Sequence, residues 1–416
     1  MFGIVLVLLL GGAIVAASVR LQRPQVDQRV TIVLLGCYVL RLAVSSLTRT
    51  AYIFTTGPAS DSSGYERTGE VIARAWQYTG IRYMTGDDMP GLEHTSLPAN
   101  VFAAVTYFNS GPSHLGCVAA VAGAATFACL NLYLLCLQLG ARRDVALGIT
   151  ALIAVLPSFF YYTSDTYKDG FVVLFSVGIL GCSVRLAQKF SIVQLGLALL
   201  WMGGLWLTRY YLVFAMPAPL LLGVLGLRSG SILRFALAVL VIGTSLTAAY
   251  AYSDVPETVT SHAVQTFQGA TSTTALNANA DTAPGASGVS FEGDSAVGSF
   301  LPKLAYTLFA PFPWQSGSIG LQLAKIEAFV WYFFLYRAIR AARMRWRDES
   351  SNLLIFVSFI VPMTVAYAFS FANIGLIVRE RMGIVLATIA IASLSWPERG
   401  YAALRAHMGD GLVPQS

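Results

Sequence analysis

The chain alternates long apolar runs with short polar breaks. Eleven runs reach or approach the roughly 20 residues that a helix needs to cross a bilayer. They are 2–19, 30–48, 115–138, 145–162, 170–187, 191–207, 211–227, 233–251, 318–336, 353–371 and 382–396. Two long connections interrupt them, 49–114 and 252–303. In the first, Tyr65, Ile72 and Trp76, with Val71 and Ala75 alongside, have the spacing of an amphipathic helix. Such a helix is expected to lie along the membrane interface. Val101 to Phe108 predicts a second interfacial helix or a re-entrant segment. Thr271 to Ser299 is mostly Ala, Ser, Thr and Gly, and predicts a mobile stretch that orders over a substrate.

Composition sharpens this picture. Of the 416 residues, 56% are hydrophobic and only 12% are charged, where a soluble domain carries about a quarter. The expected fold is an all-α polytopic membrane protein, one transmembrane domain over residues 1–416. The net charge of +6 does not point to nucleic acid as a partner, because the basic residues sit in alternate short connections. These hold Arg20, Arg23 and Arg29; Arg142 and Arg143; Arg185 and Lys189; Arg228 and Arg234; Arg337 to Arg347; and, in the tail, Arg399 and Arg405. By the positive-inside rule this set is cytoplasmic. The N-terminus is then outside, the C-terminus is cytoplasmic, and both long connections face the periplasm or exterior of a cell (inner) membrane. Phe2 to Val19 lacks the basic leading segment of a signal peptide, and its flanking arginines come after it, so it reads as a span. The five cysteines lie inside apolar runs with no CxxC pair and no neighbouring His. They read as small buried hydrophobes rather than a disulfide framework or a zinc site.

The outward connections carry chemistry that topology alone does not ask for. Asp61, Tyr65 and Glu66 lie in the first; Asp165, Lys168 and Asp169 link two spans. Thr208-Arg209-Tyr210-Tyr211 interrupts a long apolar run, Pro311 to Trp314 precedes the span at 318–336, and Arg379, Glu380 and Arg381 precede the last. Each has a plain structural explanation. Lys168 can close a turn with Asp165 or Asp169, Arg209 can snorkel to headgroups, and Arg379 and Arg381 can anchor a helix to anionic lipid. Asp61 stands where a helix cap would, and Ser63 to Glu66 has capping-box spacing. Cations held in three tight outer turns nevertheless suit a lipid-linked phosphate.

Asp61 with Tyr65 and Glu66, opening an interfacial helix in the first long outward loop, resembles the GT-C superfamily of integral-membrane glycosyltransferases. Pro157 followed by Ser164 and Lys168-Asp169, and Asn373-Ile374-Gly375 running to Arg379 and Arg381, resemble turns of bacterial polysaccharide-cluster relatives. The acidic loop follows the second span here, whereas the family places it after the first. The resemblance implies a polyprenyl-phosphate-linked sugar donor and a glycan or lipid-linked acceptor, used at the bilayer surface. It implies Asp61 as catalytic base, with Tyr65 and Glu66 in support. Lys168, Arg209, Arg379 and Arg381, beside Asp165 and Asp169, would receive the leaving phosphate, and Trp314 would form a sugar platform. A divalent cation, Mg or Mn, is left open. A Wzy-like repeat-unit polymerase would use the same lipid and the same outward arginines. A transporter or flippase would instead need ionisable groups near the bilayer midplane; these cluster at span ends, with Lys325 and Glu327 as the main exceptions.

Overall fold

In a computed structural model the described residues are 1–23, 26–51, 61–93, 95–226, 300–315, 319–370 and 374–396. The run 233–251, Thr271 to Ser299 and most of the second long connection lie outside them. The described residues form helices and turns, with no β-strand among them. Among the described residues, six helices are long and apolar enough to cross a membrane: Phe2–Leu21, Gln28–Leu47, His114–Gln138, Asp169–Gln188, Ile192–Ala215 and Glu349–Ala368. The protein is therefore a helical, polytopic membrane protein whose solvent is in large part lipid.

Where the observed spans differ from the apolar runs, local chemistry explains it. The run at 145–162 is two helices, α6 (Arg143–Ala154) and α7 (Pro157–Thr163), bent by 60°. Pro157 disfavours helical backbone at the residue before it, and Leu156 is extended (φ −59°, ψ 127°). Counted as one crossing, the pair brings the spans to seven. α9 (Ile192–Arg209) ends at the polar Thr208-Arg209 step, but the chain tightens into a 3-10 turn over Tyr210–Ala215 and continues the same span. The next helix, α10 (Pro217–Leu225), has nine residues, about 14 Å of helix against a hydrocarbon core of about 30 Å. The run at 318–336 opens α12 (Ile319–Ser370), which breaks at Glu349, and only Glu349–Ala368 qualifies as a crossing. The last run is α14 (Met382–Ser393), apolar but 12 residues long.

The chain divides into two compact units. The first comprises Met1–Gly181, Leu197–Phe214 and the segment from Ala390; the second comprises Cys182–Gly196 and Ala215–Ile389. In the first, α5 (His114–Gln138) is the central post, 72% buried along its apolar window, with α1 (Phe2–Leu21) and α2 (Gln28–Ala51) against it. α1 is only 17% buried, so most of its apolar surface is left for lipid.

The first long connection folds into α3 (Asp61–Thr79) and α4 (Ser96–Phe108). The apolar stripe of α3 is Ile72, Ala73 and Trp76, with Val71 outside it and exposed. It packs on Ala99 and Ala103 of α4 and on Met84 and Leu92 between them. Lipid is thus not needed to cover this stripe. Gly69 permits the approach, since a Cβ there would stand 2.7 Å from the Phe102 Cβ and 3.0 Å from the Ala103 nitrogen. Asp61 is the first residue of α3 rather than its cap, and Ser63 is already inside the helix, so no capping box starts at Ser63.

Among the residues of the membrane spans, Arg41 is fully buried in α2. Its Nε donates to Thr163 Oγ1 (2.8 Å), Nη1 to the Cys37 carbonyl (3.2 Å) and Nη2 to the Ala154 carbonyl (2.9 Å). Its guanidinium also lies 5.2 and 5.4 Å from the Phe159 and Phe160 ring centres. Ala154 ends α6, so the arginine satisfies a backbone acceptor that the bend at Pro157 exposes. Arg41 is thus a further exception, beside Lys325 and Glu327, to the expected clustering of ionisable groups at span ends. All five cysteines are buried, and none is in a disulfide.

Candidate functional site

One end of the first unit gathers Ser45 of α2, the starts of α3, α5 and α8 (Asp169–Gln188), and the end of α9. Ser113 caps α5, its hydroxyl accepting from the Gly116 N–H at 3.3 Å, and this places His114 at the mouth of the span. The His114 imidazole is the hub. Its Nδ1 lies 3.1 Å from Glu66 Oε2, and its Nε2 lies 3.0 Å from Ser45 Oγ and 4.0 Å from Asp165 Oδ1. A carboxylate can only accept, so Nδ1 carries the proton in the Glu66 pair. Nε2 is thereby presented to the Ser45 hydroxyl, the arrangement by which an acid orients an imidazole for proton transfer.

The first turn of α3 is docked on the turn before α8. Thr166 Oγ1 donates to the Ser62 carbonyl at 3.0 Å, while the Thr166 N–H donates to Asp165 Oδ1 at 2.7 Å. Lys168 places its ammonium 5.7 Å from the Tyr65 ring centre. Asp61 is exposed and one helical turn before Tyr65, so Asp61, Tyr65 and Lys168 occupy one side of this junction. Behind them Asp169, 2% exposed, accepts from Arg209 Nη2 at 3.3 Å. Arg209, 3% exposed, does not snorkel to headgroups; it closes α9 onto the first residue of α8. Tyr161, Tyr162 and Tyr167 form a cluster of rings beside this turn, with centres 5.0 to 6.2 Å apart.

The remaining expected site residues belong to the second unit. Arg379 and Glu380 end α13 (Ile374–Glu380), and both are buried, as is Arg381. Arg381 Nη1 donates to the carbonyls of Thr307 (3.3 Å) and Leu308 (3.4 Å) at the end of α11 (Phe300–Phe309). Its guanidinium lies 5.7 Å from the Trp331 ring centre. Among the described residues its Nε and Nη2 have no hydrogen-bond partner. Burial also pulls the pKa of the Lys303 ammonium, on α11, below its ordinary value. None of these is an exposed lipid anchor. Trp314, 79% exposed, stacks on Phe312 with ring centres 4.9 Å apart and planes 10° apart. Glu327 is buried on α12, while Lys325 Nζ donates to the Pro313 carbonyl at 3.0 Å.

The structure thus brings Asp61, Tyr65, Glu66, Asp165, Lys168, Asp169 and Arg209 to one end of the first unit. It adds His114, Ser45, Thr166 and, deeper, Arg41, which the sequence reading passed over. One signal did exist for His114: it is one of only four histidines in the chain and stands at the start of an apolar run. Among the described residues, no three His, Cys, Asp or Glu side chains are placed to hold a metal ion together. No protein-family model matches this chain, and no curated protein matches it in sequence.

Proposed function

We propose that the protein is a membrane-embedded glycosyltransferase that moves a sugar from a polyprenyl-phosphate-linked donor to a glycan or lipid-linked acceptor, outside the cytoplasm. One observation carries this reading. Acid, imidazole and ammonium groups, namely Asp61, Glu66–His114, Asp165 and Lys168, crowd one end of a bundle of lipid-spanning helices. A lipid-linked substrate has its reactive phosphate at just such a level, with its tail among the helices. In the reaction the acceptor oxygen forms a bond to the anomeric carbon, and the bond from that carbon to the phosphate oxygen breaks. The acceptor proton passes to the Asp61 carboxylate, and polyprenyl phosphate leaves with the electron pair.

Lys168, with the N-termini of α3 and α8, supplies positive potential for the leaving phosphate. Arg209 already faces Asp169, so its part is to hold the α8–α9 corner. The fold resembling GT-C and the outward orientation belong to this same proposal. Arg41, although within a span, has its guanidinium on Thr163, Cys37 and Ala154, which favours a structural role over a transport pathway.

The purified protein in lipid nanodiscs, given a polyprenyl-phosphate monosaccharide and acceptor, should release polyprenyl phosphate. Asp61→Asn should lower that release by about 10²–10³-fold, the loss typical of one catalytic polar group, at unchanged expression. Full activity in Asp61→Asn would defeat the assignment of the base. Consumption of a lipid-pyrophosphate oligosaccharide instead would identify a Wzy-like polymerase. Uptake of labelled substrate into proteoliposomes without a covalent product would identify a transporter.

A further inference from the structure

Between α3 and the turn after α4 lies a cleft of about 350 Å³, within the range of small-molecule sites, about 300–1,000 Å³. Glu70, Arg74, Gln77 and Tyr78 line it from α3, and Thr106 and Tyr107 from α4. On α3 these residues recur at the spacing of one helix flank, so they form a continuous wall. Glu70 and Arg74 stand 3.9 Å apart, so the wall carries no net charge and does not select a phosphate. Glu, Arg and Gln each offer two coplanar hydrogen-bonding groups, which match vicinal hydroxyls.

Two tyrosines complete the lining. Tyr78 is 89% exposed, so its ring is open to a ligand. Tyr107 is held from behind by Trp76, edge to face at 5.9 Å and 70°. The Trp76 indole N–H is itself buried, with no hydrogen-bond partner among the described residues. Flat aromatic faces with planar polar groups around them suit a sugar ring, which has apolar C–H faces and a polar rim.

We infer that this cleft binds a glycan, as a subsite for sugar units remote from the reacting one. Its near edge is one helical turn from Glu66, and its rim at Pro112 is two residues before His114. A chain of several sugars is needed to fill both places, so the acceptor would be an oligosaccharide rather than a single sugar. The term acceptor rests on the transferase reading; the binding of a glycan does not.

The test uses the full chain in nanodiscs on an immobilised array of bacterial and synthetic oligosaccharides, with no sugar donor present. Retention is expected on glycans of several units and not on single sugars. Tyr78→Ala and Gln77→Ala should each weaken it by about tenfold, equivalent to ~1.4 kcal/mol, while melting at the wild-type temperature, because both residues are exposed. Retention of no glycan, or wild-type retention by both variants, overturns the subsite. Donor turnover that persists in that case leaves the transferase reading standing. Tyr78-dependent retention without any turnover would leave the glycan site and remove the transferase.

Discussion

At the residue scale the site depends on who faces whom, and two pairs dominate. Glu66 and His114 lie 48 positions apart, and their contact at 3.1 Å fixes both the tautomer of the imidazole and the docking of α3. Glu66→Gln would leave a hydrogen-bonding group in place but lose the charge that orients the ring. Turnover of the lipid-linked donor should fall in both Glu66→Gln and His114→Asn, by about 10²–10³-fold if the pair acts in proton transfer. Single-turnover kinetics check this, and wild-type rates in both variants would place the pair outside the chemistry. The Asp169–Arg209 pair is buried on both sides. Removing one member of such a pair costs about 3–5 kcal/mol, so Asp169→Asn should lower the unfolding temperature in detergent clearly more than Asp61→Asn, whose carboxylate is exposed. Thr163→Val belongs to the same scale. It takes the hydroxyl from Arg41 Nε, and an unsatisfied buried donor costs about 1–3 kcal/mol.

At the element scale, the hairpin of α3 and α4 is the feature on which the site stands. Its core of Ile72, Ala73, Trp76, Ala99 and Ala103 holds α3 by contacts with other protein rather than with lipid, which fixes the direction in which its first turn points. Gly69 lets the two helices approach closely. A Gly69→Val substitution puts a branched side chain where even a Cβ meets the Phe102 Cβ at 2.7 Å, an overpacking penalty of about 1–3 kcal/mol. Hydrogen exchange should then quicken throughout α3 and α4 while α5 stays protected; unchanged protection in α3 would disprove the packing account. The amphipathic spacing of Ile72 and Trp76 made the helix legible in the sequence. Its partner was not, because periodicity marks an apolar face without saying whether protein or lipid covers it. The broken span at Leu156 and Pro157 has a similar history. Proline was visible as a break, but the Arg41 that fills the bend is set 113 residues from the carbonyl it bonds.

For the whole molecule, the alternation of basic and neutral connections predicts which ends face the cytoplasm, and the site end lies opposite Arg142 and Arg143. All five native cysteines are buried, so they form a quiet background for labelling. Gly64 is exposed, and a Cβ there meets nothing within 4 Å. In intact cells or spheroplasts an impermeant maleimide should label Gly64→Cys from outside and spare Arg143→Cys until the membrane is opened. The reverse pattern would invert the topology and move the proposed chemistry to the cytoplasm. The span count is where the sequence and the fold part most. A run of apolar residues reports affinity for a nonpolar medium, and both lipid and a packed protein interior satisfy that. α14 is as apolar as any crossing helix, but it has 12 residues, and all of them except Gly383 are buried. Hydropathy did not separate it from a span; length and packing did.

By itself the sequence determined the solvent and the secondary structure: a helical chain in lipid, a polar amphipathic excursion after its second apolar run, and a set of charges with no reason to be where they are. These are local properties, read from residues within a turn or two of each other. Only the tertiary structure decided which charges meet. Glu66 with His114 and Asp169 with Arg209 are joined across 48 and 40 positions, and Arg379, Arg381 and Trp314 belong to a different compact unit from Asp61. The physical reason is that burial leaves each ionisable group bound to find a partner, and which partner lies within reach depends on how the helices pack, not on the order of residues along the chain.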